Sequence, residues 1–413
     1  MKYRRWVIFV ITSSMFLISQ FYRASNAVIS PHLIRDLSLD TEGLGLLSAA
    51  FFYAFALTQI PVGILLDRVG PRRTMTALSV IAVLGAFIFA WASSLPVGVT
   101  GRVLMGVGMG CNLMGTFKLL TVWFGPSSFA TLSGITFSIG TVGNMAATTP
   151  LVLLVQGMGW RAAFSLIAGF NLIQIMILYM VVRDRPPENV SSFAGSEPRP
   201  TFGYIFSGLR LLFNKKDYWI ISCGAFFRYG VFAAVQTLWA GPYLIKAVGF
   251  SPLVAGNLIF LLNIGMIVGG PVWGGVSDRI FKTRKWVVIA SLVTLCLSIL
   301  GIAVVPPGSP MAIFAFLFFA FGFSAGTGNI LFAHIKELMP IGLAGVAMTG
   351  INFFTMVGAA VFIHGLGSLM QRLYPATSLG IQAFRSAFML CAVSLIVAAL
   401  LYLLTKDAAP DDI

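Results

Sequence analysis

Long apolar runs, each closed by charge, glycine or proline, recur along the whole chain. Twelve of them are long enough to cross a hydrocarbon layer of about 30 Å as helices, which takes about 20 residues each. They fall near residues 6–28, 44–66, 74–92, 97–123, 130–156, 161–182, 219–245, 252–276, 286–305, 311–335, 344–370 and 383–405. Polar residues inside them follow helical spacing: positions 12, 19, 23, 26 and 30 (Thr, Ser, Arg, Asn, Ser) fall on one face. The connections are short except for residues 183–218, which hold Pro186, Pro187, Pro198, Pro200 and many charges and read as a solvated linker. The pattern predicts an all-α membrane protein of twelve transmembrane helices. It divides into a six-helix bundle over 1–182, a cytoplasmic linker over 183–218 and a second six-helix bundle over 219–413.

Composition narrows the class. Of 413 residues, 58% are hydrophobic and only 10% charged, with a mean hydropathy of +0.92. Soluble domains carry roughly a quarter charged residues, so an ordinary soluble enzyme is excluded. The net charge of +14 arises because acids are scarce, 13 against 27 Lys and Arg, and not from basic tracts of the kind that bind nucleic acid. Placing the N-terminus in the cytoplasm puts most of the basic residues on that side, including Arg68, Arg72, Arg73, Arg279, Lys282, Arg284 and Lys285. Arg35, Arg102, Arg161, Lys246, Arg372 and Arg385 fall at or near the other side, and Arg23, Lys118 and Arg228 fall inside spans. The asymmetry predicts that both termini are cytoplasmic. The first apolar run is too long for a signal-peptide core and reads as a retained helix. Cys111, Cys223, Cys296 and Cys391 each lie in a span without metal-ligand spacing. Short loops and the absence of a disulfide framework suggest a bacterial inner membrane.

The two halves repeat. Pro61-Val62-Gly63-Ile64-Leu65-Leu66-Asp67-Arg68 closes the second span, and Pro271-Val272-Trp273-Gly274-Gly275-Val276-Ser277-Asp278-Arg279 closes the eighth. Asp67 and Asp278 stand 211 residues apart, as do Pro31 and Pro242. Duplicated bundles of this kind build transporters around a central path.

On these residues the chain resembles the major facilitator superfamily (MFS) over essentially its whole length. The most diagnostic piece is Gly63-x-x-x-Asp67-Arg68-x-Gly70-x-Arg72-Arg73, with Pro71 in place of a frequent basic residue. Arg102-x-x-Met105-Gly106-x-Gly108 in the fourth helix and Gly159-Trp160-Arg161-Ala162-Ala163-Phe164 opening the sixth also match. The Gly-Pro-x-x-Gly-Gly ending that marks drug:proton antiporters in the fifth helix is missing. The resemblance implies alternating access, with Asp67 facing the start of helix 11 near Gly342-Leu343-Ala344-Gly345 and Asp278 facing Ser127 and Ser128. An aspartate suits a helix N-terminus because it meets unpaired N–H groups there. Asp67, Arg68, Arg72, Asp278, Arg279 and Arg102 are the expected gating set; the competing reading is a turn whose charges merely anchor a loop.

Intramembrane charge marks the expected chemistry, since each such group costs at least about 2.5 kcal/mol in hydrocarbon. Arg23 and Arg228, supported by Lys118, are the candidate substrate contacts, with Tyr22, Gln20, Asn26, Gln236 and Asn329 able to add hydrogen bonds. Snorkelling to the interface competes for Arg23, and helix packing competes for each neutral residue. With carboxylates nearly absent from the spans, the natural cargo is a small organic anion, a carboxylate or phosphate ester, which guanidinium can hold through two parallel bonds. A pair of arginines in helices 1 and 7 is similar to organophosphate carriers, although Arg23 and Arg228 do not share the 211-residue register.

His334 and Glu337 lie three residues apart on one helix face, either as a proton-coupling pair or as an ion pair closing the cytoplasmic gate. The sequence therefore predicts a secondary transporter, not an enzyme, working as a proton symporter or anion exchanger. An exporter of drugs or amphiphiles is the alternative. No cofactor, metal or nucleic acid is expected, and the expected partners are the anionic solute, a proton or counter-anion and the lipid bilayer, with the chain a monomer.

Overall fold

The computed structural model describes residues 2–124, 126–185, 212–339 and 344–407. Every regular element among them is helical. Eleven segments of these residues are long and apolar enough to cross a membrane. The expected linker prolines, Pro186 to Pro200, lie outside the described residues, as do Gly342 and Leu343.

The chain divides into two compact units, one of residues 1–38 and 50–199 and one of residues 39–49 and 200–413. In the first, α1 (Lys2–Ala24) and α2 (Asn26–Leu37) form one broken helix. It is followed by α3 (Thr41–Arg68), α4 (Pro71–Ala90), α5 (Leu95–Met109), α6 (Asn112–Phe124), α7 (Pro126–Ala146) and α8 (Thr149–Val181). The helix starts follow local chemistry. Asp40 Oδ1 accepts the Gly43 N–H at 2.7 Å at the head of α3, and Pro occupies the first turn of α4, α5 and α8, where no N–H is needed. Gly159 sits inside α8 at φ +79°, turning the end of the fifth crossing into the sixth. Only glycine enters that region without strain.

The second unit holds α9 (Lys216–Ala234), which continues through wider-wound turns to Val248, then α10 (Pro252–Gly275), α11 (Lys285–Val304) and α12 (Met311–Ala325). After these come α13 (Gly328–Leu338), α14 (Ala344–Leu373) and α15 (Ile381–Tyr402). The first turns of α3 belong to this unit. Thr41 N–H donates to Gln371 Oε1 at 3.4 Å, and the Ser368 hydroxyl donates to Glu42 at 3.1 Å.

Glycine brings backbones together in both units. A Cβ on Gly106 of α5 would stand 2.2 Å from the Phe51 carbonyl of α3, and one on Gly322 of α12 would stand 1.9 Å from the Leu262 carbonyl of α10. Phe51 and Leu262 are themselves 211 residues apart, so the repeat seen in Asp67 and Asp278 extends to a packing contact. Small residues at such crossings let helices associate by close van der Waals contact in a medium that offers no hydrophobic drive.

Candidate functional site

Four helices are interrupted, two in each unit, and polar side chains lie at the interruptions. The first breaks at Ser25, between α1 and α2; the fourth breaks at Gly110-Cys111, between α5 and α6. The seventh unwinds to π-type turns over Val235–Trp239, and the tenth breaks at Gly326-Thr327, between α12 and α13. Ser25, Gly110 and Gly326 keep right-handed helical angles, so each interruption is a local loss of regular hydrogen bonding, and the polar groups it frees at membrane depth need protein partners.

In the first unit the predicted stripe of Thr12, Ser19, Arg23, Asn26 and Ser30 is buried throughout. The Arg23 guanidinium lies 4.9 Å from the Phe55 ring centre and 5.6 Å from that of Phe52. Flat aromatic faces attract such a cation where little water competes. Tyr22 is fully buried, and Gln20 Oε1 is buried without a hydrogen-bond partner among the described residues. At the fourth-helix break the Asn112 amide donates to the Met15 carbonyl at 3.4 Å, and the Gln59 amide donates to the Gly110 carbonyl at 3.4 Å.

Arg102 departs from its expected place near the outer surface. It is fully buried, donates through Nη1 to the Tyr22 carbonyl at 2.7 Å, and stacks 5.0 Å from the Phe51 ring. Its Nε and Nη2 have no hydrogen-bond partner among the described residues. Two turns into α5, it reaches helix 1 and α3, not a loop.

Lys118 also stands elsewhere than expected. Its ammonium donates to the Leu66 carbonyl at 2.6 Å and to Asp67 at 2.5 Å. It therefore joins the loop motif that closes α3, away from Arg23's ring pocket. Arg72 anchors the same motif, donating its N–H to Asp184 at 2.7 Å and its Nε to the Tyr179 carbonyl at 2.9 Å. Arg68 and Arg279 are exposed. Of the expected helix-end partners for Asp67 and Asp278, Gly342 and Leu343 and the side chain of Ser127 lie outside the described residues.

At the opposite end of the first unit, Asp36 accepts from Arg35 Nε at 2.7 Å, Trp160 Nε1 at 2.9 Å and Arg161 Nη1 at 2.6 Å. These donors, Arg35 foremost, hold its carboxyl well below the usual carboxylate range. Arg161 also reaches the Ala92 carbonyl at 2.9 Å. The Gly-Trp-Arg motif is thus a clamp on Asp36 in the last turn of α2, a partnership that spacing alone did not reveal.

In the second unit Arg228 is 5% exposed and donates through Nη1 to the Ala325 carbonyl at 2.7 Å, the last residue of α12. Thr327 Oγ1 lies 3.5 Å from the same nitrogen. Among the described residues no carboxylate partners Arg228. Gln236 donates to Asn263 at 2.6 Å within the core, and Asn329 is exposed at the start of α13.

The expected pairing of His334 with Glu337 is not what the geometry holds. His334 is fully buried, with Nδ1 2.7 Å from the Tyr402 hydroxyl and Nε2 3.0 Å from the Lys406 carbonyl. A carbonyl only accepts, so the Nε2 proton is the one donated. Glu337 instead receives Arg284 at 2.9 Å and 3.1 Å, and Arg284 also donates to Asp278 and to the Ser277 hydroxyl at 3.0 Å. A bidentate guanidinium outcompetes an imidazole for a carboxylate. Burial by itself would lower the Arg284 pKa, but Glu337 and Asp278 more than offset it and push the group upward.

Paired bundles, interrupted helices and buried guanidiniums define a multi-pass membrane carrier. The chain belongs to the Major Facilitator Superfamily, whose family model matches residues 11–363. It is 25% identical over 433 residues to a "Probable hexose phosphate transport protein" of Chlamydia muridarum, covering 99% of this chain and 92% of that one. It is 27% identical to a "Probable sulfoacetate transporter" of Cupriavidus necator over 67% of this chain and 66% of the relative, just under two thirds of its length. Among solved structures, a bacterial homologue of the human lysosomal transporter Spinster superposes with a TM-score of 0.79 at 18% identity, over 98% of this chain and 97% of that one. These relatives are transporters, not enzymes.

Proposed function

We propose that the protein is a secondary transporter that moves a small organic anion, a carboxylate, sulfonate or phosphate ester, by alternating access. The observation that carries the reading is Arg228: a guanidinium in the seventh helix, 5% exposed, with a carbonyl and a hydroxyl for company and Nε unpartnered among the described residues. Such a group in a span marks a substrate path by default, and its charge calls for an anion. Arg23 is assigned as the second charge contact, with Tyr22, Gln20, Asn26, Gln236 and Asn329 as polar support. The relatives named as a probable hexose phosphate transport protein and a probable sulfoacetate transporter support the same class of cargo.

Lys118 is reassigned from substrate contact to the gate, where with Asp67, Arg68, Arg72, Asp278 and Arg279 it fastens helix ends. Proton coupling is the working assignment, with His334 as the group that gains and loses a proton. The reading places both termini in the cytoplasm of a bacterial cell. Thermal unfolding of the purified protein tests it: a ligand at a hundred times its dissociation constant stabilises by about 2.7 kcal/mol. Glucose 6-phosphate, sulfoacetate or galactonate should raise the melting temperature of wild type and not of Arg23→Ala or Arg228→Ala. Stabilisation by lipophilic cations alone, equal in all three proteins, would replace this reading with an exporter.

A further inference from the structure

The tenth helix breaks where Arg228 touches it. Arg228 Nη1 donates to the Ala325 carbonyl at 2.7 Å, and this carbonyl is the last of α12. A carbonyl at the broken end of a helix lacks an onward N–H partner, so the guanidinium supplies it. Thr327, in the break itself, places Oγ1 3.5 Å from Nη1 and donates that hydroxyl to Ser291 of α11 at 2.9 Å. Gly328, the first residue of α13, leaves room for the other edge of the fork: a Cβ there would stand 2.8 Å from Nη2.

The two sides of the break are held differently. On the α12 side, a Cβ on Gly326 would stand 2.5 Å from the Gly270 nitrogen, and one on Gly269 2.1 Å from the Phe323 carbonyl. That backbone contact fixes α12 to α10. On the α13 side the anchors are polar side chains: Glu337 on Arg284 and His334 on Tyr402. A bend would therefore occur at Thr327-Gly328, beside the guanidinium. Arg228 also keeps one N–H in reserve: among the described residues its Nε is buried without a partner.

The geometry points to Thr327 and Gly328 as positioning residues that seat Arg228 against the break, so that an anion engaging this guanidinium changes the bend of the tenth helix. The inference rests on the anion reading above and adds how binding reaches the helix. The anion competes with the Ala325 carbonyl and the Thr327 hydroxyl for the same fork. Gaining the anion draws the fork off Ala325 and Thr327 at the break, and α13 tilts about Thr327-Gly328. Substrate charge thereby becomes helix motion without a second charged partner.

The test uses full-length protein in which Ala333→Cys, on half-buried α13 surface, reports its accessibility to a thiol reagent, with Cys223 replaced by Ser. Glucose 6-phosphate and sulfoacetate are the probes, and melting temperature is read beside labelling rate and uptake. In the Thr327-intact protein the stabilising probe should change labelling by about threefold or more. Thr327→Val should keep the probe-induced melting shift but lose the labelling change and lower the Vmax for uptake about tenfold, with KM within about threefold. Thr327→Ser, which restores the hydroxyl, should restore both. Gly328→Ala, which crowds Nη2 while keeping every charge, should act like Thr327→Val and serves if that variant folds poorly. A labelling change that survives Thr327→Val and Gly328→Ala overturns the seat and leaves the anion reading standing. A protein that no anion stabilises or relabels overturns the anion reading, and the seat falls with it.

Discussion

Arg284→Ala should destabilise the second unit by about 2 kcal/mol, and nearly all of that loss should trace to Glu337. The Arg284 side chain is 10% exposed and that of Glu337 23%, while Asp278 is 54% exposed. Stranding one partner of a fully buried pair costs about 3–5 kcal/mol; an exposed pair contributes about 0–1 kcal/mol. The Glu337 contact is bidentate and mostly shielded, so it falls between these limits. The Asp278 contact, more than half open to water, belongs with the exposed class.

A double-mutant cycle separates the two. Arg284→Ala with Glu337→Ala should show a coupling of about 1–2 kcal/mol, and Arg284→Ala with Asp278→Ala under about 0.5 kcal/mol. Arg284→Lys, which keeps the charge but not the fork, should lose about half the Glu337 coupling. Chemical unfolding in mild detergent, followed by tryptophan fluorescence, gives the free energies. Additive effects of Arg284→Ala and Glu337→Ala, or a larger coupling to Asp278, would refute the burial argument.

Two further outcomes follow from the same structure. Asp36 has a lowered carboxyl pKa, so its contribution is complete above its unfolded value of about 3.9 and fades as pH falls through the lower folded value. Wild type should lose its advantage over Asp36→Asn only in strong acid, below about pH 4, and should melt at a constant higher temperature from there to neutrality. Gly322→Ala, which drives a methyl to within 1.9 Å of the Leu262 carbonyl, should destabilise by about 2 kcal/mol or more, whereas Gly134→Ala, with nothing within 4 Å, should be neutral or slightly stabilising in thermal unfolding.

The spans were legible because a run of twenty apolar residues is a local property, and the repeat because Asp67 and Asp278 lie at one offset, Asp67 in the last turn of α3 and Asp278 in the wider-wound turns that follow α10. The helix breaks were less so. Gly110-Cys111 and Gly326-Thr327 sit inside apolar runs, and only the polar partners brought from other helices reveal that the backbone parts there. Partner choice was the least legible level. Arg102 reads as interfacial by its distance from the span's edge, yet the Tyr22 carbonyl and the Phe51 ring draw it into the core. His334 and Glu337 share a helix face, yet Tyr402, 68 residues on, and Arg284, 53 residues back, take them separately. Lys118 lies late in its helix, where its long stem reaches Asp67. Each of these pairings joins residues far apart in sequence, which periodicity along one helix does not encode.

Uptake into proteoliposomes tests the central claim most directly. Wild type, Arg23→Ala and Arg228→Ala would be reconstituted at equal density and given labelled glucose 6-phosphate, sulfoacetate or galactonate under an inward proton gradient. The account predicts saturable uptake of at least one of these anions by wild type and loss of it in both arginine variants. Uptake that persists unchanged in Arg228→Ala, or transport of lipophilic cations in place of every anion, would contradict it.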